Sequence, residues 1–152
     1  MTVVVLLSDK RSGSTMLEEE ICKHADISPV DYTPHTFRET HHFLKGAVML
    51  GMPPVMFEGG KRYTNYGSAA NARAYLIDCV RGNVPEFVPP DDDRALVFEG
   101  WETLCARFAR PVFFEKSPHH LSSWGALSLL LEWIEMTPRP VRVIGLTRNP
   151  LS

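Results

Sequence analysis

TVVVLLSDKRSGSTMLEEE, residues 2–20, is the stretch that decides the fold. Its opening run is β-branched or leucine without polar alternation, which is typical of a short parallel strand buried on both faces. Such a strand should be central in its sheet. After the polar turn at 8–14, apolar residues recur at helical spacing at Met16, Leu17 and Ile21. The stretch therefore predicts a strand, a loop and a helix in succession.

The rest of the chain alternates short apolar runs with longer amphipathic ones. Further strands are predicted over residues 111–115 and 141–146. Helices are predicted at about 36–50, 68–80, 94–109 and 122–136. This alternation indicates an α/β fold in three layers, with a mainly parallel sheet between helices.

Two of these helices carry finer predictions. The aspartates at 91–93 follow a proline-rich loop, and we expect them to cap the helix that begins near residue 94. In the helix at 122–136, the predicted core-facing residues are Trp124, Leu127, Leu131 and Ile134.

Composition places the chain among globular domains. Its 152 residues are 44% hydrophobic and 22% charged, which suits one domain with a real core and excludes disordered and fibrous classes. The formal net charge of −2 provides no field that would recruit nucleic acid or an anionic membrane. Any bound anion must therefore meet a local site.

The cysteines and the amino-terminal residues indicate the cellular compartment, and the carboxyl end indicates whether the domain is complete. Cys22, Cys79 and Cys105 are odd in number and far apart, so we expect reduced core thiols and no disulfide framework. The apolar run at 3–7 is too short for a membrane span and lacks signal-peptide features, which predicts a cytoplasmic protein. We expect residues 1–152 to form a single domain that is incomplete at its carboxyl end, because the chain stops just after a predicted strand.

Residues 8–15 have the composition of an anion-binding loop. A loop between a buried strand and a helix amino terminus presents consecutive backbone N–H groups to a phosphate. Gly13 lets the backbone approach closely, Arg11 can chelate oxygens, and the Ser14 and Thr15 hydroxyls add donors. The usual nucleoside-triphosphate loop needs glycine at position 8 and lysine at position 14, and this sequence has serine at both.

The string Arg-Ser-Gly-Ser-Thr after a first strand resembles the 5′-phosphosulfate loop of sulfotransferases that use 3′-phosphoadenosine-5′-phosphosulfate (PAPS) as donor. The resemblance implies a P-loop-like sulfotransferase fold and transfer of a sulfuryl group to a hydroxyl or amine. It also implies a cofactor site made by Arg11, Ser12, Gly13, Ser14 and Thr15.

Two later stretches resemble the same family. Thr-Arg-Asn-Pro at 147–150 follows a predicted strand, as does the family motif whose arginine binds the 3′-phosphate, which implies that role for Arg148. The serine of that motif lies beyond the last residue of this chain. Phe-Glu-Lys-Ser at 114–117 resembles a segment of glycan sulfotransferases, with His120 in place of its tyrosine, and implies that Lys116 contacts the transferring group.

Sulfuryl transfer needs cations around the leaving phosphate and a base for the acceptor. Arg11 and Lys116 would supply the positive charge, and no metal is expected because a sulfuryl group carries less charge than a phosphoryl group. Glu39 is our choice of base, because related glycan and tyrosine sulfotransferases place a catalytic glutamate downstream of the phosphate loop. His41 and His42 are the alternatives, since imidazole titrates near neutral pH.

Other interpretations stay open. His35, Glu39 and His42 have a spacing that also suits a metal site. A nucleotide kinase or hydrolase with a degenerate loop would depend on Lys10 and Asp9 as substitutes for its usual residues. A non-catalytic nucleotide-binding fragment is the third possibility.

The sequence does not single out an acceptor. Small-molecule, glycan, lipid and peptide acceptors all fit a loop-built pocket. The residues predicted to line it are Tyr63, Tyr66, the proline- and aspartate-rich loop at 84–93, and the pair His41 and His42.

Overall fold

The computed structural model describes residues 1–52 and 67–148 and shows an α/β fold with an all-parallel sheet flanked by helices. Its strands are β1 (Thr2–Ser8), β2 (Ile27–Ser28), β3 (Val112–Lys116) and β4 (Val141–Leu146). Across the sheet they follow the order β2-β3-β1-β4. β1 pairs in parallel with β3 on one side and β4 on the other. The prediction that the first strand is central is confirmed.

The helices connect these strands in the order that a parallel sheet requires. They are α1 (Ser14–Ile21), α2 (His42–Met49), α3 (Ala69–Asn83), α4 (Asp93–Phe108) and α5 (Trp124–Met136). A 3₁₀-helix covers Pro118–Ser122. The predicted capping by the aspartate run is confirmed, because the Asp92 side chain accepts from Ala95 N at 2.7 Å at the start of α4.

The helix predicted at 36–50 begins only with α2, so its first turns are wrong. Arg38 and His41 have φ angles of 53° and 49°, in the left-handed region that a right-handed helix cannot contain. Thr40 Oγ1 instead donates to the buried Glu115 of β3 at 2.8 Å. A long-range hydrogen bond to the carboxyl end of β3 therefore takes the place of a local helical hydrogen bond.

The predicted inner face of α5 is wrong in part. Trp124 and Leu131 are 56% and 59% exposed, whereas Leu129, Leu130 and Trp133 are buried in the core. α5 is apolar around most of its circumference, so hydrophobic spacing alone does not determine which face packs inward.

β4 lies where it was predicted, and both of its faces are partly exposed to solvent. Val143 and Ile144 are 50% and 38% exposed. The reason is topological: among the described residues β4 is an edge strand, with β1 as its neighbour in the sheet.

The cysteines are free thiols, as the sequence predicts, and burial raises the pKa of Cys79 to about 12. Within residues 1–52 and 67–148, no helix combines the length and apolar character that crossing a bilayer demands. The tyrosines predicted to line the acceptor pocket, Tyr63 and Tyr66, lie outside the described residues.

Candidate functional site

The carboxyl ends of β1, β3 and β4 meet at one edge of the sheet, where a cleft of about 570 Å³ opens. Ligands of open parallel sheets bind at this edge. The loop after β1 contributes Gly13, Ser14 and Thr15 to the cleft wall. The charged and imidazole side chains that line it are Lys10, Arg11, His35, Glu39, His119 and Arg148.

The loop after β1 is shaped by two left-handed residues. Arg11 has φ 62° and Gly13 has φ 92°. A Cβ added to Gly13 would meet nothing within 4 Å, so glycine is needed there for its backbone angle and not for space. α1 starts directly afterwards without a side-chain cap, which leaves its first N–H groups available at the cleft. This is the geometry in which a helix terminus receives an anion.

Arg148 reaches the same loop from the end of β4. Its Nη1 donates to the carbonyl oxygen of Arg11 at 3.3 Å. Two arginines that are 137 positions apart in the chain thus stand at one wall of the cleft. Together with Lys10 they make this wall strongly cationic.

Lys116, the last residue of β3, lies one layer behind the cleft and is fully buried. Its Nζ donates to Thr15 Oγ1 at 3.1 Å, to the carbonyl oxygen of Phe37 at 3.2 Å and to Glu39 Oε1 at 3.2 Å. Glu18 Oε2 stands 3.4 Å away. The ammonium is therefore enclosed by four oxygens, one of which is the Thr15 hydroxyl at the start of α1.

The two carboxylates beside Lys116 have opposite pKa shifts. Burial raises the pKa of Glu18, and the neighbouring Lys116 charge only partly offsets this. Burial would also raise the pKa of Glu39, but its hydrogen bond with His41 and the charge of Lys116 lower it to about 2. Glu39 is thus the ionised partner of Lys116, and Glu18 is the one more easily protonated.

Three imidazoles surround the other oxygen of Glu39. His41 Nε2 lies 3.0 Å from Glu39 Oε2, and the Nδ1 atoms of His35 and His119 each lie 3.7 Å from it. The rings of His35 and His41 have centroids 4.4 Å apart, and those of His41 and His119 are 4.6 Å apart. Burial lowers the pKa of His35 and lowers that of His119 to about 4.

A third carboxyl, Glu115, underlies the site. It is fully buried, and burial raises its pKa to about 7 despite hydrogen bonds from Ser117 and Thr40. Ser117 Oγ in turn accepts from the backbone N–H of His41 at 3.1 Å. This network ties the segment that carries Glu39 to the end of β3.

The structure separates the predicted site residues into three groups. Arg11, Gly13, Ser14, Thr15, Glu39 and Arg148 line the cleft. Lys116 stands behind it, and the Ser12 hydroxyl is buried with no hydrogen bond among the described residues. Asn149 and Pro150 of the Arg148 motif lie outside the described residues.

The histidine alternatives are also sorted by the structure. His42 lies in the core, where its Nε2 donates to the carbonyl oxygen of Val97 at 2.7 Å and burial lowers its pKa to about 4. It is therefore neither a base for the cleft nor a ligand beside Glu39, and His41 takes its place next to His35.

Sequence reasoning missed Glu18, Glu115 and the approach of His119 to Glu39. The spacing of Thr15 and Glu18, three apart on α1, was a usable signal, because such residues share a helix face. The sequence holds no comparable local signal for His119, which meets Glu39 only through the tertiary fold.

Comparisons with known protein families, with curated proteins and with solved structures find no match to this chain.

Proposed function

We propose that this protein is a sulfotransferase that moves a sulfuryl group from PAPS to a hydroxyl or amine acceptor, on a P-loop-like sulfotransferase fold. One observation carries the proposal. The loop at 11–15, which resembles the 5′-phosphosulfate loop of that family, and Arg148, which matches its 3′-phosphate arginine, line one cleft.

The anionic ends of the nucleotide would meet complementary groups. Backbone N–H groups of the loop and of the α1 amino terminus, with Arg11, suit the 5′-phosphosulfate. Arg148 is exposed at the cleft wall, where its guanidinium suits bidentate recognition of a 3′-phosphate.

In the transfer step, the bond between sulfur and the bridging oxygen of the donor breaks, and a new bond forms between sulfur and the acceptor oxygen or nitrogen. The leaving 3′,5′-adenosine bisphosphate takes the bonding electron pair, so negative charge develops on its 5′-phosphate. Arg11 would stabilise that charge at the cleft wall, and Lys116 is placed one hydroxyl away through Thr15.

Glu39 would accept the proton of the acceptor. A carboxylate with a pKa of about 2 is a weak base, and the cause lies in its hydrogen bonds to His41 and Lys116. If Lys116 turns to the anionic donor, Glu39 loses that partner and its pKa rises. Donor binding would therefore prepare the base as well as the leaving group.

The proposed location of the enzyme is the cytoplasm. Free cysteines fit a reducing, cytoplasmic compartment. The cleft does not select among small-molecule, glycan, lipid and peptide acceptors.

Calorimetric titration with 3′,5′-adenosine bisphosphate tests this function. We expect binding without magnesium, stronger than binding of ATP with magnesium. Arg148→Ala should weaken it about 10- to 100-fold, as expected for a hydrogen bond to a charged group. Arg142→Ala, an exposed arginine on β4 outside the cleft, is the matched control and should bind as the wild type does.

Other outcomes would point elsewhere. A magnesium requirement, or a preference for ATP, would favour a nucleotide kinase or hydrolase. Equal losses for the two arginine variants would remove Arg148 from the site.

A further inference from the structure

The histidines around Glu39 form a cluster that sulfuryl transfer leaves unexplained. His35, His41 and His119 come from separate parts of the chain: an irregular segment, the residue before α2 and the 3₁₀-helix. All three direct a ring nitrogen at Glu39 Oε2, at 3.0 to 3.7 Å. A single carboxylate oxygen needs only one donor for orientation, so three converging imidazoles call for another reason.

We propose that this cluster is a binding site for a divalent transition metal ion, best suited to Zn²⁺. The ligands are His35 Nδ1, Glu39 Oε2 and His41 Nε2, with His119 Nδ1 as the fourth. Imidazole nitrogens with one carboxylate oxygen are the donor set of zinc sites, whereas Mg²⁺ and Ca²⁺ prefer oxygen ligands throughout.

The spacing of the ligand atoms fits this assignment. One ligand atom from each of His35, Glu39 and His41 lies within 4.8 Å of the other two. In a tetrahedral zinc site with bonds of about 2.0 Å, the ligand atoms stand about 3.3 Å apart. Bringing these three ligand atoms to the spacing of a zinc site thus needs each pair to approach by at most about 1.5 Å (4.8 − 3.3).

Burial and access also suit an ion. His35 Nδ1 is buried with no hydrogen bond among the described residues, so its lone pair or proton is not used elsewhere in them. His41 is buried at the inner end of the cluster, while His35 and His119 line the cleft through which an ion would enter. His41 adopts a left-handed backbone conformation, which is uncommon outside glycine and is typical of functional positions.

The two oxygens of Glu39 face different neighbours, one the histidine cluster and the other the proposed transfer site. Oε1 faces Lys116 at 3.2 Å and Oε2 faces the imidazoles. An ion on Oε2 would occupy the carboxylate that the transfer reaction needs as its base. Zn²⁺ should therefore inhibit sulfuryl transfer, a consequence that rests on the proposed function although metal binding itself does not.

Titration of the metal-free full chain with Co²⁺ tests the site without any nucleotide. Four-coordinate Co²⁺ absorbs visible light far more strongly than the hydrated ion, and Zn²⁺ should displace it and abolish the band. Loss of an outer-sphere partner costs about 10- to 100-fold in metal affinity, so His35→Ala or His41→Ala should cost more than about 100-fold. His24→Ala is the matched control, because His24 is exposed and lies outside the cluster.

Absence of the Co²⁺ band in the wild type would overturn the proposal, and so would equal binding by the His24 and His35 variants. Circular dichroism and thermal unfolding without metal check that each variant folds. If His41→Ala fails to fold, His35→Ala decides the question, because His35 is 35% exposed and contributes little to the core. Binding of 3′,5′-adenosine bisphosphate to the same samples separates failure of this site from failure of the proposed function.

Discussion

The two walls of the cleft are built in different ways. The loop at 11–15 is continuous in sequence, and its shape follows from the angles at Arg11 and Gly13 and from the uncapped start of α1. Lys116, in contrast, is held by Thr15 and Glu39, which are 101 and 77 positions away. The backbone N–H groups of the loop are open to the cleft, whereas the Lys116 ammonium already donates hydrogen bonds to neighbouring oxygens. The donors of one wall are open to a ligand, whereas those of the other are already engaged.

Removing the Lys116 ammonium should have the largest effect on the second wall. Lys116→Met leaves Glu18 and Glu39 buried without their shared cation, and we expect a loss of about 3–5 kcal/mol in the free energy of unfolding. Urea denaturation at neutral pH measures it. Lys23→Met is the control, because the Lys23 and Glu20 side chains are exposed and their pairing adds little. A loss as small as that of the control would mean that the buried ion cluster does not form.

The buried carboxyl beneath that wall predicts a smaller, pH-dependent effect. The pKa of Glu115 is raised from 4.5 to about 7, so its protonated form stabilises the fold below about pH 4.5, and this contribution is lost as pH rises to about 7. The loss is on the order of 3 kcal/mol, since each pH unit between 4.5 and about 7 contributes about 1.4 kcal/mol. Glu115→Gln keeps a neutral group there, so its stability relative to the wild type should increase by that amount across the window.

Urea denaturation at several pH values measures the difference in the free energy of unfolding between Glu115→Gln and the wild type. His42 and His119 have lowered pKa values of about 4, so their contribution changes in the opposite sense, lost as pH falls from about 6.5 towards 4. They are common to both proteins and cancel in the difference. Glu20→Gln, at an exposed site, is the matched control. A flat difference for Glu115→Gln would contradict the burial of a neutral carboxyl.

The smallest effect is expected at the preformed wall. Gly13→Ala places a Cβ in the left-handed region at φ 92°, which costs about 1–2 kcal/mol, although the space around it is open. Gly145→Ala is a close control, since its added Cβ also meets nothing within 4 Å but its backbone is not left-handed. Thermal unfolding should show destabilisation for the first variant alone. Similar melting curves for the two would mean that the loop relaxes without strain.

The same contrast explains what could be predicted from sequence. Strand, loop and helix at 2–20 depend on local signals, and the structure bears them out at β1 and α1. The early start of the helix at 36–50 could not be recognised as wrong, because Thr40 pairs with Glu115 across 75 positions. The inner face of α5 was predicted wrongly in part for another reason, because apolar residues cover most of the circumference of the helix. Local patterns determine elements, whereas the pairing of buried polar groups depends on tertiary contacts.

Because four oxygens enclose Lys116, a ligand that is to contact its ammonium must compete with them. Its charge is already balanced by Glu18 and Glu39, so a small monovalent anion such as chloride gains little by drawing it away. A ligand with several anionic oxygens, also held by the β1 loop, can compete with both carboxylates at once. Under the proposed function, the cleft would therefore discriminate against small monovalent salts.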